Sequence, residues 1–255
     1  VMDLPITRQR EQNHNLKAIQ QWVQVAILAG LGAYFVYNIY SGNLANYINE
    51  RFVWLSYVAA ILFFTIATFS AFRTVRGVEI SSGLSENMNT VTWSVIITAA
   101  MPLIFGTMIP SQPLGVEAVN GNISTSAVVG VSENTFAIAP ENRNILDWLR
   151  EFNSSTDYDV FNGQPANVSG FVYREPDFAE NQFMVARFTV SCCVADASAL
   201  GLPVFADNAG EFETGEWVQV GGTVQVDEFT GEVLPIINSS NIERIELPEH
   251  PYLYP

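Results

Sequence analysis

The segment Arg187-Phe-Thr-Val-Ser-Cys-Cys-Val-Ala-Asp196 joins an apolar, β-branched run to an acidic end. Such a run, bracketed on both sides by segments rich in Val and Thr, predicts a central β-strand that leaves its sheet at Asp196. It contains the two cysteines of the chain, Cys192 and Cys193. Because neighbouring strand residues point to opposite faces, we expect one thiol to face a core and the other to face a groove or solvent. Free cysteines usually behave as small buried hydrophobes, so we predict reduced and mostly buried thiols.

The sequence from residue 167 onwards has the period-two pattern of β-strands. The predicted strands cover residues 168–173, 183–193, 202–206, 217–226 and 233–245. Gly170 and the Gly221-Gly222 pair fall where the strands of a small barrel must bend sharply. These features predict an all-β domain over residues 167–255, a five-stranded barrel similar to the oligonucleotide/oligosaccharide-binding (OB) fold. A small immunoglobulin-like β-sandwich is the alternative.

Charge divides the 255-residue chain into two parts that meet near Pro110. Residues 1–110 carry 5 acids and 6 bases, whereas residues 111–255 carry 21 acids and 5 bases, which gives net charges of +1 and −16. Three uncharged, apolar segments lie in the first part, at residues 22–40, 52–72 and 91–109. The first of them would form a helix about 28 Å long, which matches one hydrocarbon core. We therefore predict a membrane domain over residues 1–110 with three transmembrane α-helices.

Two cationic clusters predict the orientation of these helices. Arg8, Arg10 and Lys17 precede the first span, and Arg73 and Arg76 follow the second. With three spans both clusters fall on the same side, which the positive-inside rule makes cytoplasmic. We therefore expect a multi-pass protein with a cytoplasmic N-terminus and an extracytoplasmic C-terminal domain.

A linker with one amphipathic helix is predicted between the two parts, over residues 111–166. The helix is expected at residues 140–152, with a proline at its start. Its apolar residues recur at helical spacing: Ile145, Trp148, Leu149 and Phe152. This spacing predicts a helix that packs one face against the adjoining sheet.

The charge pattern also excludes some classes of partner. Nucleic-acid binding draws most of its affinity from cationic groups that neutralise phosphates, so a region of net charge −16 is not expected to bind nucleic acid.

None of the predicted spans contains an ionisable residue, whereas ion pathways and proton relays usually need one. Small residues spaced by four, such as Ala26 with Gly30 and Ala67 with Ala71, allow close helix packing. We expect helices that lie in the lipid bilayer and pack against a larger polytopic membrane protein.

Four motifs occur in order along the chain: residues 47–56 at the start of the second span, Ile109-Pro110, Gly170-Phe-Val and residues 187–196. Together they resemble a bacterial family of permease subunits, which are small membrane proteins described beside a larger arsenical-permease-like permease. The resemblance implies three spans, an extracytoplasmic barrel and an accessory role beside a transporter in the bacterial cell membrane. Its motif residues in this chain are Arg187, Cys192, Cys193 and Asp196.

Some members of that family carry a histidine-rich loop between the second and third spans, which implies metal handling. The corresponding segment of this chain, residues 73–90, has no histidine. This departure weakens a metal role that rests on the resemblance.

The end of the predicted central strand is the candidate site. A soft ion such as Zn²⁺ or Cu⁺, or an arsenical, would take the thiolate of Cys193 and an oxygen of Asp196. The alternative is that Asp196 caps the turn after the strand, with its carboxylate on backbone amides. For Arg187 we predict an ion pair with an acid across the sheet.

The remaining polar residues predict no chemistry. His14 and His250 lack metal-ligand spacing to any other ligand, and Glu211, Glu213 and Glu216 have the composition of a solvated charged loop and no EF-hand spacing. The sequence has no Ser-His-Asp arrangement, phosphate-binding loop or paired carboxylates. We therefore predict that the chain is not an enzyme and needs no cofactor.

Three functions are compatible with these patterns. The first is an accessory subunit of a membrane permease that presents an acidic β-barrel outside the cytoplasm. The second is a structural or docking subunit of another large membrane complex. The third is a thiol-based module that binds a metal or metalloid.

Overall fold

The computed structural model describes residues 4–76, 93–119, 123–125 and 138–255. The chain forms two compact units. The first comprises Val1–Leu44 and Glu50–Gln112, and the second comprises Ala45–Asn49 and Pro113–Pro255. A five-residue segment between the first two helices therefore belongs to the same unit as the C-terminal part of the chain.

Among its described residues, the first unit contains three α-helices, α1 (Leu4–Tyr40), α2 (Val53–Arg76) and α3 (Trp93–Met108). Two helical segments, Ala18–Tyr40 in α1 and Glu50–Arg76, which contains α2 and the 3₁₀ turn before it, are long and apolar enough to cross a membrane. Helix α3 is apolar but has 16 residues, and residues 91 and 92 of the third predicted span lie outside the described residues. Each helix overlaps one of the three predicted segments, and two of the helices have the length of a span.

Helix α1 begins well before the predicted span, in the polar N-terminal segment. Between Pro5 and Gly30 the sequence contains no glycine or proline, and these are the residues that interrupt helices most strongly. A proline in the first turn is compatible with a helix because its missing N–H has no partner there. The apolar span is therefore the C-terminal part of one longer helix.

Small residues lie at the contacts between these helices. A Cβ atom at Gly30 would lie 2.8 Å from Leu103 of α3, and one at Gly32 would lie 3.1 Å from Phe64 of α2. Ala60 and Ala67 of α2 are buried. Gly30 and Ala67 belong to the small-residue pairs predicted to allow close approach; Gly30 lies at such a contact, and Ala67 is buried.

Five strands close into one barrel: β1 (Pro165–Tyr173), β2 (Gln182–Thr189), β3 (Ser198–Phe205), β4 (Trp217–Phe229) and β5 (Glu232–Arg244). The order around the barrel is β1-β2-β3-β5-β4, and β4 pairs with β1 to close it. Strands β3 and β5 are parallel, and the other pairs are antiparallel. The predicted five-stranded barrel is confirmed, and the sandwich alternative is wrong because the strands form a single closed sheet.

Glycines permit the bends that close this sheet. A Cβ atom at Gly170 of β1 would collide with the carbonyl oxygen of Ala186 on β2, and one at Gly222 of β4 would collide with that of Asn238 on β5. The β4–β5 register shifts between Gly221 and Gly222. The predicted bending positions are therefore where backbones approach most closely.

The amphipathic helix, α4 (Ile145–Ser154), starts five residues later than predicted. Pro140–Asn142 instead forms a separate 3₁₀ turn. The reason is a capping box at Asn144, whose side chain accepts the Asp147 N–H while the Asp147 carboxylate accepts the Asn144 N–H. Trp148 is fully buried in the core that α4 shares with the barrel strands, as the spacing predicted.

Candidate functional site

Strand β2 ends at Thr189, and residues 190–197 form a loop that returns the chain to β3. The Asp196 carboxylate organises this loop. It accepts the backbone N–H groups of Ser191 at 2.8 Å, Cys192 at 2.7 Å and Cys193 at 3.3 Å. Three amides turned towards one carboxylate cannot pair with a neighbouring strand. The prediction that the strand extends to Cys193 is therefore wrong, and the capping arrangement proposed for Asp196 is the one observed.

The turn also changes the geometry of the two thiols. The Sγ atoms of Cys192 and Cys193 lie 3.8 Å apart, so the predicted placement on opposite faces is wrong. Cys192 is exposed and Cys193 is half-buried, so the predicted burial is wrong too. Both follow from the early end of β2, because strand alternation no longer applies to these residues. One ligand atom from each of Cys192, Cys193 and Asp196 lies within 4.8 Å of the others.

Hydrogen bonding determines the protonation of this cluster. Hydrogen bonds to Asp196 and to Cys193 raise the pKa of the Cys192 thiol to about 11, and the bond to Asp196 has the larger effect. Burial acts to raise the pKa of Asp196, but hydrogen bonds from the Cys192 thiol and from three backbone amides outweigh it and lower that pKa. At neutral pH the site thus contains a carboxylate that accepts a hydrogen bond from a protonated thiol.

The segment that connects α1 to α2 in sequence holds this loop in place. The buried Asn49 side chain donates to the carbonyl oxygens of Ser191 at 2.9 Å and Val190 at 3.5 Å. The Asn49 N–H donates to the Cys192 carbonyl at 3.1 Å, and the Val194 N–H donates to the Tyr47 carbonyl at 2.9 Å. Backbone and side-chain bonds together fix the position of the loop. We call this set of contacts the Asn49 clamp.

Sequence reasoning did not identify Asn49 as a site residue. It lies more than 140 positions from the carbonyls that it contacts. One signal was present, because residues 47–49 formed part of the motif on which the family resemblance was based. A polar side chain in that motif, next to a predicted membrane span, had no local role to explain it.

Arg187 has a different role from the one predicted. Its guanidinium donates to the carbonyl oxygens of Pro251 at 3.0 Å and His250, and to the Ser169 hydroxyl at 3.2 Å. It also lies over the Trp217 ring, 5.6 Å from the ring centre. The predicted ion pair with an acid is wrong, because the N–H groups of the guanidinium donate to carbonyl oxygens of the C-terminal segment instead. Burial lowers the pKa of Arg187.

The C-terminal segment is in turn bonded to β2 and to the connecting segment. The Leu253 N–H donates to the Phe188 carbonyl at 2.8 Å. The Tyr252 hydroxyl donates to the Asn46 carbonyl at 3.1 Å and accepts the Leu114 N–H at 2.8 Å. Arg187 therefore positions the C-terminal segment, which in turn bonds to the connecting segment at Asn46.

The remaining polar residues of the sequence analysis lie elsewhere. Glu216 accepts the Glu213 N–H at 2.8 Å and pairs with Arg244 at 3.2 Å. These contacts fit the charged surface loop that was predicted there. The His14 side chain lies outside the described residues, and His250 contributes its carbonyl oxygen to Arg187.

Comparisons with known proteins cover nearly the whole chain. Residues 23–123 match the DUF1980 N-terminal domain, and residues 120–255 match the DUF1980 C-terminal domain. The UPF0703 protein YcgQ of Bacillus subtilis is 20% identical over 280 residues, which cover 91% of this chain and 98% of that protein. The structure of a small single-stranded DNA-binding protein from Streptomyces coelicolor matches over 33% of this chain and 94% of that protein's chain, with 15% identity and a TM-score of 0.24. At that score the structural likeness carries no argument. The two domain matches together show that the chain belongs to the DUF1980 family.

Proposed function

We propose that this protein is an accessory subunit of a membrane permease, anchored by its helices and presenting the acidic barrel outside the cytoplasm. The observation that carries the proposal is the apolar surface of the helices. Large apolar side chains on α2 point away from the protein, among them Trp54, Ile61 and Phe69, which are 59%, 65% and 58% exposed. Soluble proteins rarely expose contiguous apolar surface on this scale. A bilayer or a membrane partner would cover it.

A supporting role fits these helices better than transport by them alone. The apolar segments at residues 22–40, 52–72 and 91–109 contain no ionisable residue, and intramembrane ionisable residues mark most ion and proton pathways. The substrate pathway would then lie in the partner. Gly30 packs against α3 and Ala67 is buried, so these small residues serve packing within the protein. The exposed apolar faces of the helices are the surfaces left for a partner.

The barrel is proposed to lie on the extracytoplasmic side. The cationic residues before the first span and after the second would both remain in the cytoplasm if all three helices cross the membrane. The C-terminal part of the chain has a net charge of −16. Its charge supports a role in protein docking at the outer mouth of a permease and argues against nucleic acid as the ligand of this OB-like barrel.

The proposal is tested by identifying the proteins that co-purify with this chain. A tagged full-length copy is extracted in a gentle detergent, and its companions are identified by mass spectrometry against cells that express the untagged chain. Recovery of a polytopic permease in stoichiometric amount is the expected result. Recovery of an unrelated multi-subunit membrane complex would support the structural alternative. A protein that runs alone in several detergents would contradict both functions.

A further inference from the structure

We propose that Cys192, Cys193 and Asp196 form a binding site for one thiophilic metal cation of the zinc class. The site is independent of the permease proposal, because it rests on the geometry of one loop. Two sulfurs and a carboxylate converge there from a short stretch of chain. Thiolate with carboxylate is a donor set that zinc accepts in proteins.

The sulfur–sulfur distance is the first argument. Two thiolates bound to one tetrahedral zinc at about 2.3 Å lie about 3.8 Å from each other. The Sγ atoms of Cys192 and Cys193 lie 3.8 Å apart in this loop. Adjacent cysteines on a regular strand would point to opposite faces. The loop has therefore already brought the pair to the separation that one ion requires.

The carboxylate is the second argument. A zinc-bound sulfur and oxygen are separated by about 3.6 Å in tetrahedral geometry, and the three candidate ligand atoms lie within 4.8 Å of one another. A small side-chain rotation would complete the contact. The three backbone amides bound to Asp196 keep its carboxylate oriented towards the thiols. Such second-shell donors are typical of metal-ligating carboxylates.

The Asn49 clamp is the third argument, because it fixes the loop from outside. The side-chain amide of Asn49 and its backbone N–H hold the carbonyl oxygens of Ser191 and Cys192. The carbonyl of Tyr47 holds the Val194 N–H. A prearranged loop loses less conformational entropy when it binds an ion than a free one does. The clamp acts by positioning the ligands and does not contact the ion.

The binding step balances without a redox partner. One divalent cation exchanges with two thiol protons, which leave to solvent, and two metal–sulfur bonds form. The hydrogen bond between the Cys192 thiol and Asp196 is replaced by a bond from the same carboxylate to the ion. Three protein ligands leave one tetrahedral position for water or for a further ligand.

Direct metal titration tests the site. The purified full-length protein is reduced with a phosphine, stripped of metal and titrated with Zn²⁺ alone, and with Co²⁺ as a spectroscopic probe. We expect one ion per chain, release of two protons, and a thiolate-to-cobalt charge-transfer band. Cys192→Ser and Cys193→Ser should each abolish the band, and Asp196→Asn should weaken binding at least tenfold. The matched control is Asp157→Asn, because Asp157 also caps a backbone N–H, that of Asp159, on a different loop.

A second measurement does not depend on variants that fold. Bound Zn²⁺ should protect both cysteines of the unmodified protein from alkylation, as read by mass spectrometry of the peptide that contains them. Equal alkylation with and without Zn²⁺ would overturn the proposal. Zn²⁺ binding that is unchanged in the Cys192→Ser/Cys193→Ser double variant would also overturn it.

Discussion

Removing the side chain of Asn49 should loosen the Cys192–Cys193 loop without unfolding the barrel. In Asn49→Ala the carbonyl oxygens of Ser191 and Val190 lose their donor, at 2.9 Å and 3.5 Å, while the two backbone hydrogen bonds of the clamp remain. Ser191 is exposed, but Asn49 and Val190 are 2% and 0% exposed, so water does not easily replace the donor to the Val190 carbonyl. An unsatisfied buried acceptor costs about 2 kcal/mol. That loss corresponds to a roughly 30-fold increase in the population of the open loop.

Hydrogen exchange measures this opening directly. The amides of residues 49 and 194, which bond across the clamp, should exchange roughly 30-fold faster in Asn49→Ala than in the unmodified protein. Asn162→Ala is the matched control, because the Asn162 side chain also bonds to the backbone, where it accepts the Val226 N–H, but is exposed. The control should leave the exchange of residues 47–49 and 190–196 unchanged. Unchanged exchange in folded Asn49→Ala, or equal acceleration in both variants, would refute the reasoning.

Three further changes have defined outcomes. Arg187→Gln removes charge-assisted hydrogen bonds to two C-terminal carbonyls and should lower the free energy of unfolding by about 3 kcal/mol, measured by urea titration of the purified protein; an unchanged midpoint would contradict this. Because the pKa of the Cys192 thiol is raised to about 11, its alkylation should increase with pH up to that value. In Asp196→Asn its alkylation should be several-fold faster at pH 8, because losing the largest cause of the raised pKa increases the thiolate fraction more than it lowers the nucleophilicity of the thiolate; an unchanged rate would show that Asp196 does not raise this pKa. Gly170→Ala places a Cβ against a backbone carbonyl and should destabilise the barrel by about 2–3 kcal/mol in the same titration, whereas Gly210→Ala, which faces open space, should be neutral.

The barrel was predictable because its signals are local. Alternating apolar residues define each strand, and Gly170 and Gly222 mark the bends by their lack of a side chain. Strand β4 nevertheless continues to Phe229, past the predicted end at residue 226, because the turn between β4 and β5 consists of only two residues, Thr230 and Gly231. Both have positive φ, 50° and 87°, which is the geometry of a tight hairpin turn.

The site was not predictable from local pattern. The end of β2 depends on Asp196, whose carboxylate accepts hydrogen bonds from the backbone amides of residues 191–193, up to five positions away in the sequence. The apolar, β-branched composition of residues 183–193 favours a strand throughout, and a tertiary contact overrides that preference. Likewise, Arg187 was expected to pair with an acid across the sheet, but it donates to the Ser169 hydroxyl and to carbonyls 63 and 64 positions further along the chain. Contacts between residues so far apart in the sequence do not show in the local pattern of apolar and polar residues.

Photocrosslinking in living cells tests most directly whether this protein works beside a larger membrane protein. A photoreactive amino acid is placed in turn at the exposed helix positions Trp54, Ile61, Phe69 and Ile104, and at Ile96, which is buried among the helices. The account predicts adducts between exposed positions and one polytopic membrane protein, identified by mass spectrometry, and no such adduct from Ile96. Adducts with lipid alone from every exposed position would contradict it.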